Sequence, residues 1–409
     1  MNNDRSGKIE DCIVLLGREL TPVLCSSFEY ENGFITSISV VGESPTPIGD
    51  RPVVVPGFVN GHTHVGDCFL ADAATNLTLA EGFFRPNGFK YRSLAKVPTE
   101  EHITAIENFL TGMAASGTIG HIDFREQGTE GCSRLRTASN RTGVRSVILS
   151  QFDKIPFTED ELEANRSNLP PGSFQELENF LSVSDGFSES TMNDLTDAAW
   201  KEIHQKSRSA GKRRAIHCLE DETYRSTSLE RTGIGDLTRA IDYLSPDLIV
   251  HLTVATEKEI DEIAAAGIPA AVNPRANATL GLPLPPVARL LDAGIPVLLG
   301  TDNGMLNGPS LFPELDFTYR LVRSQTGNQN LIDPSLILKM VTTNPGATCW
   351  GDWFPGYLET GKTASFVEFD FSSPLLRTSH HPVATIVTRC QPSDIVQTVR
   401  DGHVIHHRD

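Results

Sequence analysis

The chain has 409 residues, of which 39% are hydrophobic and 21% are charged, and its formal net charge is −17. This composition is typical of a soluble globular protein, and the negative charge argues against a nucleic acid or an anionic membrane as a partner. Seven scattered cysteines, Cys349 among them, and the lack of a long apolar run predict a cytoplasmic protein without disulfides, a cysteine zinc site or a membrane span. The oligomeric state, a homo-oligomer included, stays open.

Both ends of the chain have the pattern of short β-strands separated by turn residues. Neither end alone offers enough strands for an independently stable sheet. We therefore predict that residues 1–55 and 356–409 form one small β-sandwich domain. The segments with this pattern are 11–16, 23–30, 33–41, 365–371, 384–388, 394–399 and 403–405.

Residues 56–355 alternate predicted strands with predicted helices. Near-continuous apolar strands of this kind are typical of a parallel sheet, and eight of them favour a (β/α)8 TIM-type barrel over an open sheet. After the strand that carries His62 and His64, the predicted strands are 117–124, 144–152, 180–183, 214–217, 247–252, 268–273 and 295–300. The predicted helices include 100–116, 194–210, 257–266 and 286–293.

Polar residues with metal-binding or acid–base chemistry stand at the ends of several predicted strands. His62 and His64 are two residues apart, so a strand presents both imidazoles on one face. Each of these residues alone also has a structural explanation, such as a hydrogen-bonded core histidine or a helix cap. Because barrel active sites lie at the C-terminal ends of the strands, their common placement predicts one metal site. The residues are His62, His64, His217, Glu220, His251 and Asp302.

Several motifs together resemble the amidohydrolase superfamily, in the branch of the cytosine, guanine and S-adenosylhomocysteine deaminases and the triazine hydrolases. Nearly the whole chain is covered by this resemblance. In the terminal domain, Gly361-Lys-Thr-Ala-Ser365 is similar to a turn of the family in which aspartate replaces the serine. The motifs in the barrel are Pro56-Gly-Phe-Val-Asn-Gly-His-Thr-His64, His217-Cys-Leu-Glu220, His251, Asn273-Pro-Arg-Ala-Asn277, Leu291-Asp-Ala-Gly294 and Gly300-Thr-Asp302.

The resemblance implies a mononuclear site for a divalent metal, zinc in the first place and iron as the alternative. A metal-bound hydroxide would attack the substrate, and Glu220 and His251 would act on the water together with the metal-bound Asp302. For Glu220 to approach this water, the chain has to bend out of the strand just after Cys218. Ser184 and Asp185 follow the predicted fourth strand, which disfavours the binuclear members with a carboxylated lysine there. The implied metal ligands are His62, His64, His217 and Asp302.

The predicted function is a metal-dependent hydrolase that acts on a non-peptide C–N bond of a small molecule, most simply by deaminating an aminated heterocycle. Hydrolysis of a cyclic amide and hydrolytic displacement of another leaving group are alternatives on the same site. A catalytically inactive barrel scaffold is an alternative of a different class. The residues predicted to contact the substrate are Lys90, Arg275, Asn277 and Asn303, and Asp67 and Arg92 in the segment after the first barrel strand are further candidates.

Overall fold

The computed structural model describes residues 5–327, 332–348 and 353–408. Cys349 therefore lies outside the described residues, and the described cysteines are free thiols. The strands are β1 (Gly7–Leu16), β2 (Thr21–Glu31), β3 (Phe34–Glu43), β4 (Val53–Pro56), β5 (Phe58–His64), β6 (Thr118–Arg125), β7 (Arg145–Ser150), β8 (Gly186–Glu189), β9 (Arg213–Cys218), β10 (Leu248–His251), β11 (Ala270–Val272), β12 (Val297–Leu299), β13 (Asp302–Asn303), β14 (Phe366–Phe369), β15 (Ile395–Arg400) and β16 (His403–His407).

The α-helices lie mainly between the strands of the middle part. They are α1 (Leu79–Phe83), α2 (Phe89–Leu94), α3 (Thr99–Ala115), α4 (Gly128–Thr142), α5 (Glu159–Ala164), α6 (Pro171–Val183), α7 (Asp197–Ser209), α8 (Glu222–Thr232), α9 (Asp236–Arg239), α10 (Glu257–Ala266), α11 (Pro274–Thr279), α12 (Val287–Asp292), α13 (Phe312–Thr326), α14 (Pro334–Lys339), α15 (Thr343–Ala347) and α16 (Pro382–Thr388). None of the helices in the described ranges is long and apolar enough to cross a bilayer.

The middle strands form one parallel sheet in the order β12-β11-β10-β9-β8-β7-β6-β5-β13. Only Gly300 and Thr301 separate β12 from β13, so the two are consecutive pieces of one strand position. β12 pairs with β11 whereas β13 pairs with β5, and this segment therefore joins the two edges of the sheet. The result is a closed barrel with eight strand positions, which confirms the predicted (β/α)8 fold.

Helix α10 illustrates how the local sequence sets an element of the barrel. Thr256 and Glu259 form a capping box at its N-terminus, and Gly267 ends it with a φ of +66°. Ile260 and Ile263 are buried on its inner face. A capped start, a glycine in the left-handed region at the end and an apolar face together fix the helix against the strands.

Strands from both ends of the chain form the second sheet, in the order β16-β15-β14-β4-β1-β2-β3. β4 is the link, because it pairs in parallel with β1 and antiparallel with β14. Behind this link, the ring of Phe366 in β14 packs edge-to-face on Phe28 and Tyr30 of β2, with ring centroids 5.1 and 5.3 Å apart. The small unit predicted as a β-sandwich from both termini is thus one continuous mixed sheet of seven strands.

Two predicted strands are wrong. Residues 180–183 belong to helix α6, in which Leu177, Phe180 and Leu181 are buried at helical spacing. The fourth barrel strand is β8, and it ends in Glu189 rather than before Ser184 and Asp185. The position is thus occupied by a carboxylate and not by a lysine.

The second wrong strand is 384–388, which lies in helix α16. Its run of β-branched residues suggested a strand. However, Pro382 occupies the first turn, and the His381 ring accepts a hydrogen bond from the Ala384 amide at 3.2 Å. These two features start a helix, and they outweigh the strand propensity of the residues that follow.

Candidate active site

Strand β5 carries His62 and His64 into the barrel. Both side chains are buried, and their ring centroids are 4.9 Å apart. Thr63, between them, points to the other side, where its hydroxyl donates to Asp123 Oδ2 at 2.9 Å and lies 2.8 Å from His121 Nδ1. His121 and Asp123 therefore hold the strand from behind rather than entering the site.

Asp302 reaches the same point from the end of the barrel's eighth strand. Its φ is +64°, and it pairs in register with Thr63. Asp302 Oδ1 lies 3.3 Å from His62 Nε2 and 3.8 Å from His64 Nε2. The carboxylate therefore faces both imidazoles of β5.

His217, the last but one residue of β9, completes the cluster. Its Nε2 lies 3.2 Å from His64 Nε2. One candidate ligand atom from each of His62, His64 and His217 lies within 4.8 Å of the others, and the same holds for His62, His251 and Asp302. Three imidazoles and a carboxylate are a donor set that suits a divalent zinc or iron ion.

The hydrogen bonds of the outer ring nitrogens fix how the imidazoles of His64 and His217 are protonated. His64 Nδ1 lies 3.0 Å from the Phe124 carbonyl and 2.9 Å from Glu126 Oε1, and His217 Nδ1 lies 2.9 Å from the Glu189 carbonyl. Because these oxygens can only accept, both Nδ1 atoms carry the proton and both Nε2 atoms present lone pairs.

The two lone pairs therefore face one another at a separation of 3.2 Å. Burial and the neighbouring His62 hold the pKa of His217 well below its usual value, so the His217 ring is neutral and its Nε2 directs a lone pair toward His64. Burial also lowers the pKa of His62 to about 3, and neither ring nitrogen of His62 has a hydrogen-bond partner within the described part of the chain. Neutral imidazoles with inward lone pairs are stabilised by a cation between them, so these residues fit a metal ion.

The model of the amidohydrolase family matches residues 53–405. The chain belongs to the amidohydrolase family. A protein of Methanothermobacter thermautotrophicus, described provisionally as an aminohydrolase, is 30% identical over 402 residues, which are 97% of this chain and 98% of that protein. These matches confirm the predicted family and, with it, the prediction of a hydrolytic enzyme.

Relatives with named activities and solved structures are also similar to this chain. The 5-methylthioadenosine/S-adenosylhomocysteine deaminase of Haloarcula marismortui is 25% identical over 369 residues, which are 86% of this chain and 81% of that enzyme. The crystal structure of an adenosine deaminase from Xanthomonas campestris, with bound zinc, has a TM-score of 0.80 at 19% identity and covers 97% of this chain and 92% of that one. The second similarity shows that the fold is shared.

Glu220 stands just outside the metal cluster of this amidohydrolase. The strand ends at Cys218 and Leu219 has a φ of +53°, which is the bend that the sequence predicted. Glu220 Oε2 accepts a hydrogen bond from the Tyr224 hydroxyl at 2.8 Å and lies 3.5 Å from His251 Nε2. Burial raises the pKa of Glu220, which makes its carboxylate a better proton acceptor than that of an exposed glutamate.

His251 ends β10 with a φ of +80°, a strained conformation for a residue with a Cβ. This backbone turns the ring toward the cluster, where its centroid is 5.1 Å from that of His217. The His251 Nδ1 atom lies 3.4 Å from the amide nitrogen of Asn277. The ring thus stands between the cluster, Glu220 and a buried amide.

A cavity of about 270 Å³ opens over the cluster at the C-terminal ends of the barrel strands. Its floor includes His64, His217, Glu220, His251 and Asp302. Its wall comes mainly from segments inserted between the strands and combines polar and charged residues with an apolar part, which consists of Leu79, Phe83, Phe84, Tyr91, Ile155 and Leu162. The volume and the mixture of apolar and polar lining suit a small organic molecule.

The four predicted substrate contacts are distributed unevenly. Lys90 and Asn303 line the cavity, although the Lys90 ammonium is ion-paired with Glu126 and the Asn303 amide donates to Asp67 at 2.6 Å. Asn277 lies behind His251 and does not line the cavity. Arg275 does not line it either, because its guanidinium donates to the buried Glu314 at 3.2 Å.

Sequence reasoning missed Glu126, which is 1% exposed and accepts a hydrogen bond from His64 Nδ1. It follows β6 directly, so the strand-end rule that selected the histidines also contained the signal for it. Tyr224 and Arg85 were missed for another reason. They lie on a helix and on a loop, where no periodicity marks a residue that points into the site.

Proposed function

We propose that the protein is a zinc-dependent aminohydrolase that deaminates an aminated heterocycle. In this proposal His62, His64, His217 and Asp302 hold one metal ion. The naming of a sequence relative as a 5-methylthioadenosine/S-adenosylhomocysteine deaminase supports the reaction class. The observation that carries the proposal is the convergence of the Nε2 atoms of His64 and His217, 3.2 Å apart, beside the buried carboxylate of Asp302.

A divalent ion held by these residues would lower the pKa of a bound water molecule. Glu220 then takes a proton of the water and passes it to a ring nitrogen of the substrate and on to the departing amine. One water is consumed, the C–N bond to the amine breaks, a C–O bond forms on the same carbon, and ammonia leaves. His251, 3.5 Å from Glu220, donates a hydrogen bond to the oxygen that adds to the ring.

Substrate orientation is assigned to Asn303 within the cavity and to Asn277 through His251. Asn303 lines the cavity beside Asp302, and its amide is held by Asp67. Lys90 stays a predicted substrate contact, although its ion pair with Glu126 favours a role in holding that carboxylate behind His64. For Arg275, the ion pair with Glu314 favours a structural role.

The proposal is tested by incubating zinc-loaded protein with aminopurines, aminopyrimidines, pterins and cyclic amides while ammonia and ultraviolet absorbance are followed. We expect ammonia release from at least one aminated heterocycle and about one zinc per chain. His217→Ala should lose most of the zinc, whereas His403→Ala, which changes an exposed histidine of β16, should keep it. Ring opening of a cyclic amide without ammonia release would instead favour the alternative reaction on the same site.

A further inference from the structure

The cations on the wall of the cavity are all matched by carboxylates. Among the described residues that line the cavity, the side chains with a permanent positive charge are Arg85, Lys90 and Arg231. Such side chains are what a site uses to bind a phosphate or carboxylate group. Whether they are available therefore decides whether the site accepts an anionic substrate.

Arg85 and Lys90 are held by ion pairs with carboxylates of the protein. The Arg85 guanidinium pairs with Glu189 and, at 2.6 Å, with Asp194, and its side chain is 3% exposed. The Lys90 ammonium pairs with Glu126 and lies 3.7 Å from Asp67, and its side chain is also 3% exposed. Moving Arg85 toward a ligand would leave the buried Glu189 without a cationic partner, which is strongly unfavourable. Moving Lys90 would take a cation away from two buried carboxylates, Asp67 and Glu126, of which Glu126 would keep its ion pair with Arg125.

Arg231, on helix α8, is the more accessible cation, with 18% of its side chain exposed. It donates to the Asn193 carbonyl at 3.0 Å and pairs with Glu159 of helix α5. Glu159 also lines the cavity, so the carboxylate stands where an anionic group would have to bind.

The apolar part of the wall offers a different kind of contact. Phe84 is 38% exposed although it lines the cavity, and its ring packs edge-to-face near Tyr224 with centroids 6.4 Å apart. Leu79 and Leu162 flank the same space from α1 and α5. An apolar group of a ligand would cover this surface and gain the free energy of its burial.

We infer that the site selects an uncharged aminated heterocycle whose distal group is neutral or apolar, and that Glu159 contributes to the exclusion of phosphorylated and carboxylated analogues by occupying Arg231. This specificity rests on the proposed function, because it describes the substrate of the same cavity. In nucleoside terms, the substrate is a base or nucleoside and not a nucleotide.

The first test compares matched pairs on the zinc-loaded enzyme: adenosine, guanosine and cytidine, each with its 5′-monophosphate. For the heterocycle that is turned over, we expect kcat/KM for the uncharged member to exceed that for the monophosphate by about 100-fold, because an unmatched anion meets like charges. Equal values for the two members would overturn the inference.

The second test frees Arg231. In Glu159→Gln, the ratio of kcat/KM for the uncharged member to kcat/KM for the monophosphate should fall by about fivefold, the size expected for a partly exposed ion pair. The matched control is Glu222→Gln, because Glu222 also pairs with an arginine of α8, Arg225, and does not line the cavity. If the ratio of kcat/KM between the uncharged member and the monophosphate is the same in Glu159→Gln as in Glu222→Gln, Glu159 does not have this role.

A binding measurement separates this inference from the proposed reaction. Thermal unfolding of the zinc-loaded protein is followed with phenyl phosphate, in wild type and in Arg231→Gln. We expect phenyl phosphate to change the Tm of wild type and of Arg231→Gln by the same amount. If phenyl phosphate raises the Tm of wild type and Arg231→Gln abolishes this rise, the cavity has a phosphate site and the inference is overturned. If no heterocycle releases ammonia, the proposed function fails, and this comparison still decides whether the cavity accepts an anion.

Discussion

At the scale of single residues, the groups behind the histidines determine what the site can bind. Glu126 accepts from His64 Nδ1, and the Glu189 carbonyl accepts from His217 Nδ1. Each bond places a proton on the outer nitrogen and a lone pair on the inner one. Lys90 and Arg125 both pair with Glu126, so a buried network of two cations and one carboxylate lies behind His64.

Replacing Glu126 tests this network. Glu126→Gln keeps the shape of the side chain and removes the charge that His64, Lys90 and Arg125 share. We therefore expect zinc affinity to fall by about 10- to 100-fold, as is usual for such outer partners. Competition with a chelator of known affinity measures the change. Glu130→Gln is the control, because Glu130 is 64% exposed and pairs only with Arg134 of its own helix among the ion pairs of the described residues. Equal zinc affinity in Glu126→Gln and Glu130→Gln would show that Glu126 does not contribute to metal binding.

The sequence was sufficient to select the residues that form the cluster, because each stands at a strand end and strand ends converge in a barrel. It was not sufficient for the groups around them. Arg275 belongs to a motif of the family, yet here its guanidinium is directed to Glu314. Side-chain direction depends on which neighbour offers the nearest buried charge, and that information appears only when the chain is folded.

At the scale of elements, the eighth strand position places the Asp302 carboxylate beside the imidazoles of His62 and His64. Between β12 and β13 the chain passes so close to β5 that a Cβ on Gly300 would lie 2.7 Å from the His62 carbonyl oxygen and 2.4 Å from Asn273 Oδ1. One residue later, the Thr301 amide donates to Asn60 Oδ1 at 3.1 Å. The first and eighth strands are therefore tied together beside the cluster.

Gly300→Ala tests this close approach. The added methyl group meets backbone and a buried amide, so we expect a loss of about 1–3 kcal/mol in the free energy of unfolding, as in overpacked cores. Zinc affinity should fall as well, since Asp302 shifts with the strand. Gly308→Ala is the control, because a Cβ there has no atom within 4 Å. Urea denaturation measures the free energy of unfolding of both variants. Equal values would show that the close approach of the first and eighth strands at Gly300 does not contribute to stability.

The elements that the sequence predicted wrongly are short. β8 has four residues, Gly-Phe-Ser-Glu, and so little apolar content that the neighbouring helix α6 offered a stronger apolar run. Periodicity needs several turns or alternations to be visible, and a four-residue strand does not provide them. Its place in the barrel is set by pairing with β7 and β9 instead.

At the scale of the whole molecule, the two ends of the chain meet in one sheet beside the barrel. We propose that residues 1–55 and 356–409 form one domain and residues 56–355 the other. The pairing of β4 with both β1 and β14 supports this division, and so does the aromatic contact of Phe366 with β2. The sequence predicted a terminal sheet beside a barrel because both ends of the chain have the pattern of short strands, whereas the middle alternates strands with helices.

Phe366→Ala tests whether the two ends stabilise one another. Phe366 is fully buried and belongs to the C-terminal segment, whereas Phe28 and Tyr30 belong to the N-terminal one. We expect a loss of about 3–5 kcal/mol in stability from the cavity that remains. Hydrogen exchange should then become faster in β2 as well as in β14. Phe34→Ala, at a position that is 51% exposed, is the control. Unchanged protection of β2 would argue for independent units.

The role of Glu220 as the group that moves the proton is tested most directly by ammonia release from Glu220→Gln, on whichever heterocycle the wild-type enzyme deaminates. This substitution keeps the size of the side chain and its contact with Tyr224, and it removes the group that moves the proton. We predict about one zinc per chain, normal folding and turnover reduced by roughly 10²–10⁴, the contribution of a positioned general acid–base group. Wild-type turnover in this variant, at full zinc content, would contradict the assignment of Glu220 and leave His251 to carry the proton.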